Sequence, residues 1–335
     1  MARPFAARDI ERVANMTNLV SQFLPASARH GSALLAAGVF GGLLIAPLAH
    51  AMVWFITPNV VLLMTLVLLR VDIPAAFSHL SRPGRLAAIV VFQMLMSPFI
   101  AAGVLTLLPL DPGIAAGVAI FATGAAATSG AAFARLVGLD PELTLLATLA
   151  SIFVVPLTGP PLAHLLAGID LHISVGGFMA RLALVVGLPL AGSLLLRRAI
   201  GPDRLAPIAA SLDGAVVWLV VFYGFAVMDG LQARLLADPI WVTEATLAAF
   251  VADFGLNAVT MAAFIWMGWR SAASAGLMAG NRNMALYLAV LPASADHRIA
   301  LFFALVQFPL FLSPFLLGPI YRRMAINIRR RPSPT

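Results

Sequence analysis

The chain has no cysteine. Disulfides, thiolate metal sites and a cysteine nucleophile are therefore excluded. Lysine is absent too, so all 21 Lys and Arg residues are arginine, which points to a GC-rich coding bias rather than to chemistry. Charge is scarce. Only 10% of the 335 residues are charged, against about 25% in a soluble domain, too few to cover a water-facing surface. No hydrolase triad, HExxH, P-loop or Rossmann motif stands in a sensible context. The histidines (His30, His50, His79, His164, His172, His297) fall at expected span ends or in loops, without metal-ligand spacing, and read as interface residues. Neither an enzyme nor a bound cofactor is expected.

What fills the sequence is apolar. Hydrophobic residues make up 61%, and the mean hydropathy is +0.98. A membrane-spanning helix needs about 20 apolar residues, and apolar runs recur from Ala33 to Ile320 between short polar breaks. The expected fold is all-α and polytopic, with spans at 33–50, 52–69, 86–108, 113–134, 142–167, 174–196, 207–229, 245–268, 272–293 and 299–321. An even number of spans puts both termini on one side. Sorted on that topology, 17 arginines fall on that side, Arg234 and Arg298 on the other, and Arg181 and Arg282 within spans. The positive-inside rule then makes both termini cytoplasmic, in a cell inner membrane. The basic pI near 11.2 is thus a topology signal with lipid headgroups as partner, and nucleic acid is not expected.

One transmembrane domain is expected at 32–322, flanked by a tail at 1–31 and a basic tail at 323–335. In the first tail, Ile10, Val13, Met16, Val20 and Phe23 follow helical spacing. That pattern reads as an amphipathic helix on the membrane surface, ended by Pro25, and not as a signal peptide. The domain divides into repeats at 33–168 and 173–322. "APLA" at 46–49 has a counterpart in "LPLA" at 188–191. Ser129 precedes Pro156 by 27 residues, and Asn283 precedes Pro309 by 26. Five spans per repeat invert the second repeat, the plan of many secondary transporters.

In such folds the site lies where spans are interrupted near the midplane. The fourth span is interrupted by "TGAAATSG", including Thr128, Ser129 and Gly130, and the ninth by "AGNRN", including Asn281, Arg282 and Asn283. Twelve residues separate Arg270 from Arg282, about 18 Å of helix, which reaches the middle of a roughly 30 Å core. A permanently charged guanidinium there marks a functional site. Small residues in the fourth span are equally suited to close helix packing. Further polar residues share helix faces: Thr144, Thr148 and Ser151 on the fifth span, and Asp253, Asn257 and Thr260 on the eighth. Gln93 stands alone in the third. Asp253 is the expected partner of Arg282, because buried charges are usually paired.

These segments, with "VVFQMLMSPFIA" and "TLLATLASIFVVPLTGP", resemble the bile acid:sodium symporter family over 33–322. The resemblance implies two inverted five-helix repeats, with broken fourth and ninth helices crossing at the centre. It implies symport of an organic anion with sodium. Gln93 matches the family's third-span glutamine. Thr144 and Thr148 match hydroxyls that help hold sodium, so Thr128, Ser129, Thr144, Thr148 and Met278 mark where a vestigial sodium site would lie. The departures are specific. Met278 stands where the family has a carboxylate, and Arg282 where it has a glutamine. A fixed cation at about 4–6 Å repels sodium, and a thioether is a poor ligand for a hard cation.

Two roles for Arg282 follow from that substitution. The guanidinium either replaces a bound sodium ion and makes transport sodium-independent, or grips the substrate's acidic group through its planar fork. The expected partners are a small organic anion, handled by Arg282, Asn281, Asn283, Thr128, Ser129, Gly130, Gln93 and Asp253, and membrane lipid. A carrier resembling arsenite or auxin exporters is the alternative. A membrane-embedded sensor or enzyme is the rival of another class.

Overall fold

Three helices start the same way, and each start is written in the sequence as Asp-Pro. Asp111, Asp140 and Asp238 each accept a backbone N–H from the first turn of the helix behind them, and Pro112, Pro141 and Pro239 follow. An aspartate cap satisfies donors that have no partner within the helix. Proline at the first position loses no bond, because its missing N–H would have been an orphan. These stops and starts cut the apolar chain into spans.

The computed structural model describes residues 22–28, 30–78, 83–292 and 294–329. Its helices are α1 Gly31–Leu44, α2 Ala46–Met52, α3 Ile56–Leu69, α4 Ile73–Ser78, α5 Pro83–Val91, α6 Ser97–Leu105, α7 Pro112–Thr123, α8 Gly130–Leu136, α9 Pro141–Leu166, α10 Val175–Ile200, α11 Pro202–Ala226, α12 Leu231–Ala237, α13 Pro239–Ala263, α14 Trp269–Gly280, α15 Met284–Leu288 and α16 His297–Arg329. A π-helical turn, Phe92–Met96, joins α5 to α6. Among the described residues seven helical stretches are long and apolar enough to cross a membrane, and α1 and α7 are shorter apolar helices. The fold is all-α and polytopic.

Two expectations at the N-terminal end are corrected. The first span does not run to residue 50. The chain breaks at Ile45, and α2 continues through a short 3-10 turn into α3. Pro47 lies in the first turn of α2, where proline starts a helix rather than extending one. Nor does Pro25 end a helix, since residues 22–28 are helical through it. Tertiary contacts hold that turn: Phe23 stacks on Trp218 at 5.6 Å, and Trp218 Nε1 donates to Ser27 Oγ at 3.0 Å. The amphipathic pattern from Ile10 to Val20 lies outside the described residues.

Packing exchanges partners between the two halves. α1 lies along α11, and α10 lies along α3. The α1–α11 approach is close: a Cβ on Gly42 would sit 2.2 Å from the Phe225 carbonyl oxygen, so only glycine fits. The helices carrying the breaks sit deepest, with α7 against α9 and α16, and α14 against α13 and α9.

Polar contacts collect at two ends. At one, Arg70 pairs with Asp213, Arg197 with Asp72 at 2.8 Å, and Arg270 bonds the Gly138 and Leu139 carbonyls at 3.1 and 3.3 Å. At the other, Arg298 bridges Asp111 and Asp296 at 3.0 and 2.6 Å, Arg234 pairs with Asp238, and His50 with Asp229. The Arg298 hydrogen bond holds the Asp296 carboxyl below its ordinary value.

Candidate functional site

α7 ends at Thr123 and α14 ends at Gly280, and the extended segments that follow them cross. Ala127 N donates to Asn281 O at 2.8 Å, and Asn283 N donates to Ala125 O at 2.8 Å. Together they form a single antiparallel bridge between Ala126 and Arg282. Alanine suits this place: Ala125, Ala126 and Ala127 are all buried, and a larger side chain would hold the two backbones apart. Unwound backbone at such depth is tolerated only inside protein or beside a cavity. Here the bridge and the neighbouring side chains supply the partners.

Arg282 is 0% exposed. Its Nε donates to Ala279 O at 2.7 Å, Nη1 to Gly124 O at 2.6 Å, and Nη2 to Gln93 O at 3.1 Å and to Ser97 Oγ at 2.7 Å. Four of the five guanidinium N–H donors thus act within the protein. Ala279 belongs to the last turn of α14, and Gly124 caps α7. A helix C-terminus carries about half a negative charge. One guanidinium at two such ends brings their sum to about zero.

The other predicted residues divide into three groups. Gln93 joins the Arg282 centre: its carbonyl serves the guanidinium, its Nε2 donates to Met278 O at 3.3 Å, and its Oε1 has no partner among the described residues. Asn281 and Asn283 are at the crossing but turned to structure. Asn281 Nδ2 donates to Leu277 O at 2.9 Å and its Oδ1 accepts from Ser313 at 3.0 Å, while Asn283 Nδ2 reaches Met64 Sδ at 4.0 Å.

Second is the hydroxyl face of α9. A Cβ on Gly130 would meet Thr144 Cγ2 at 3.2 Å and Thr148 Oγ1 at 3.6 Å, which puts the segment after Thr128 and Ser129 against that face. Thr144 Oγ1 donates to Asp140 O at 2.7 Å, and Thr148 Oγ1 is buried without a partner among the described residues. The Ser151 hydroxyl accepts from Ala126 N at 3.1 Å and so supports the crossing directly. Met278 is fully buried in the core.

Third is Asp253, whose charge acts on Arg282 but without the direct contact expected: it forms no hydrogen bond or ion pair with Arg282, and both its carboxyl oxygens lack a hydrogen-bond partner among the described residues. The guanidinium is already taken up by backbone carbonyls. Asp253 lies instead against Gly280, where a Cβ would come within 2.5 Å of the Asp253 carbonyl oxygen and 2.7 Å of Oδ1. Asn257 and Thr260 lie buried on the same face of α13, with Asn257 Nδ2 donating to Tyr321 Oη at 3.0 Å.

Ser97 and Tyr287 were missed. Ser97 Oγ donates to Gln93 O at 2.7 Å while accepting from Arg282. Its signal was available, four residues after Gln93 and beside Pro98. The π-turn at Phe92–Met96 that aims the Gln93 carbonyl was not visible in the pattern; such turns recur at functional sites. Tyr287 is fully buried, and its hydroxyl lies 2.8 Å from Thr123 Oγ1 and donates to Thr123 O at 3.1 Å, closing the end of α7. Gly159 makes room for it, since a Cβ there would lie 2.1 Å from Tyr287 Oη.

No curated protein matches the chain. The model of the sodium bile acid symporter family matches residues 57–228, just over half of the sequence. The match covers α3 to α11, including the first broken span and the Gln93 turn, and stops short of the ninth-span crossing that holds Arg282. Members of that family are membrane transporters, and by this match the chain belongs to the sodium bile acid symporter family.

Proposed function

We propose that the chain moves a small organic anion across the cell inner membrane without sodium, with both termini in the cytoplasm. The observation that carries this reading is that four of the five Arg282 donors are bonded internally, two of them to carbonyls at the C-terminal ends of α7 and α14. A cation held at paired helix ends neutralises them. A guanidinium in that place performs the task permanently and leaves no room for a second cation beside it.

Of the two roles considered for Arg282, the fixed-cation role is the better supported. A residue 0% exposed, with one N–H uncommitted, has little left with which to grip a substrate. An anionic substrate is what the family name suggests for its members, and a neutralised crossing does not repel one. Gln93 Oε1 and Thr148 Oγ1, both buried and unpartnered among the described residues, are the polar groups available to a substrate or its water. Exchange of packing partners between α1–α11 and α10–α3 supports a division into repeats at 33–168 and 173–322. Arg70, Arg197 and Arg270 at one end support that end as the cytoplasmic one.

The test is uptake of labelled organic anions into vesicles carrying the full chain, in sodium and in choline salt. Uptake of an anion at equal rates in both is expected. Uptake that requires sodium, or no uptake of any anion class, would overturn the reading.

A further inference from the structure

Among the described residues Asp253 is the one fully buried carboxyl group. It sits on α13 where Gly280 brings the crossing against it, and neither oxygen has a partner among the described residues. An ionised carboxylate buried without a donor is strongly disfavoured. A carboxylic acid carries its own proton and tolerates the place. Ionisable groups inside a membrane domain are costly and mark ion or proton pathways.

The surroundings narrow the choice of ion. α13 packs against α14, α16, α7, α12 and α6. α6 and α7 contain no titratable residue. Arg234 of α12 is bonded to Asp238, and Arg270 of α14 to the carbonyls of Gly138 and Leu139. On α16 the facing group is Tyr321, while His297, Arg298, Arg322 and Arg323 lie toward its ends. Glu244 of α13 itself is exposed. Among the described residues Arg282 is the one fixed charge that acts on Asp253, and it opposes a proton and a metal cation alike. What separates them is ligation, since a metal cation needs several oxygen ligands and a proton needs the carboxyl alone.

A polar line leads away from this carboxyl. Asp253, Asn257 and Thr260 share one buried face, about 10 Å long. Asn257 bonds Tyr321, and Thr260 Oγ1 is unpartnered among the described residues. The line points toward the end of α13 that adjoins Arg270. We infer that Asp253 is a proton-binding site served from that membrane face through Asn257, Tyr321 and Thr260, and that its proton couples transport. A proton from water forms the O–H bond on one side, and the bond breaks to water when the site opens to the other. The coupling step rests on the transporter reading; proton binding does not.

Infrared difference spectroscopy of the full chain in lipid vesicles, without substrate, tests it between about pH 5 and about pH 9. A carboxylic-acid carbonyl band that fades as pH rises is expected, absent from Asp253→Asn and displaced in Asp253→Glu. The Glu variant keeps the assignment testable should the Asn variant not fold. Tyr321→Phe should keep the band and slow its response to a pH jump. A band that does not titrate, that persists in Asp253→Asn, or that is absent from the native protein at every pH overturns the proton site. An unchanged response in Tyr321→Phe overturns the path. Neither failure touches the sodium-independence reading, which is decided by uptake.

Discussion

Replacing Arg282 with glutamine should turn a sodium-indifferent protein into a sodium-responsive one. The change removes four hydrogen bonds. The Gln93 carbonyl keeps a donor, because Ser97 Oγ still reaches it at 2.7 Å. The carbonyls of Gly124 and Ala279 lose theirs. Each buried orphan costs about 1–3 kcal/mol, and the glutamine amide can serve one, which leaves a net loss of about 1–3 kcal/mol. The vacated carbonyls at two helix ends then form a seat for a cation. Sodium at about a hundredfold over its Kd returns about 2.7 kcal/mol by mass action, comparable to the loss. The assay is thermal unfolding of the purified full chain in sodium chloride and in choline chloride at equal ionic strength. The native protein should unfold at the same temperature in both. Arg282→Gln should unfold earlier in choline and recover in sodium. A native protein stabilised by sodium, or a variant unmoved by it, would refute the reasoning.

Other outcomes follow from the same contacts. Met278→Glu combined with Arg282→Gln places a carboxylate and an amide where the family resemblance expects them, and should bind sodium more tightly than Arg282→Gln alone, read by the same unfolding shift. Ser97→Ala removes one bond to the guanidinium and should cost about 1–2 kcal/mol, measurable as earlier unfolding in either salt. Gly280→Ala drives a methyl into the Asp253 carbonyl and should cost about 1–3 kcal/mol, while Gly84→Ala, with open space around it, should be neutral by the same assay. Acid should loosen the cluster around Arg298. Asp296 is held below its ordinary value, so its stabilisation is present above about pH 4 and is lost as pH falls through the lowered value. Hydrogen exchange at residues 294–300 should rise only in that acid range.

Much of this was readable beforehand because membrane helices obey few rules. Apolar length marked the spans, while the Asp-Pro signal of three starts went unused, so that the eighth span, expected from 245, begins at Pro239. The two interruptions stood out because "TGAAATSG" and "GNRN" cannot continue an apolar helix unremarked. Arg282 stood out because lipid cannot hold a guanidinium. Its partners were less legible. Charge pairing suggested Asp253, yet a guanidinium at helix ends finds carbonyls first, and carbonyls leave no trace in side-chain identity. The same blindness hid the π-turn at Phe92–Met96, a backbone feature. Tyr287 looked like one more apolar residue of the ninth span, since nothing local shows that Thr123 lies 2.8 Å from its hydroxyl. Pro25 is read as a break from local preference alone, and docking onto α11 overrides that preference, whereas the break before Pro47 was not expected.

The central claim is that Arg282 occupies the place of a cation. Binding of radiolabelled sodium to the native full chain in lipid vesicles tests it most directly, with Arg282→Gln beside it. No saturable binding to the native protein and saturable binding to the variant are predicted. Saturable, competable sodium binding by the native protein would contradict the account.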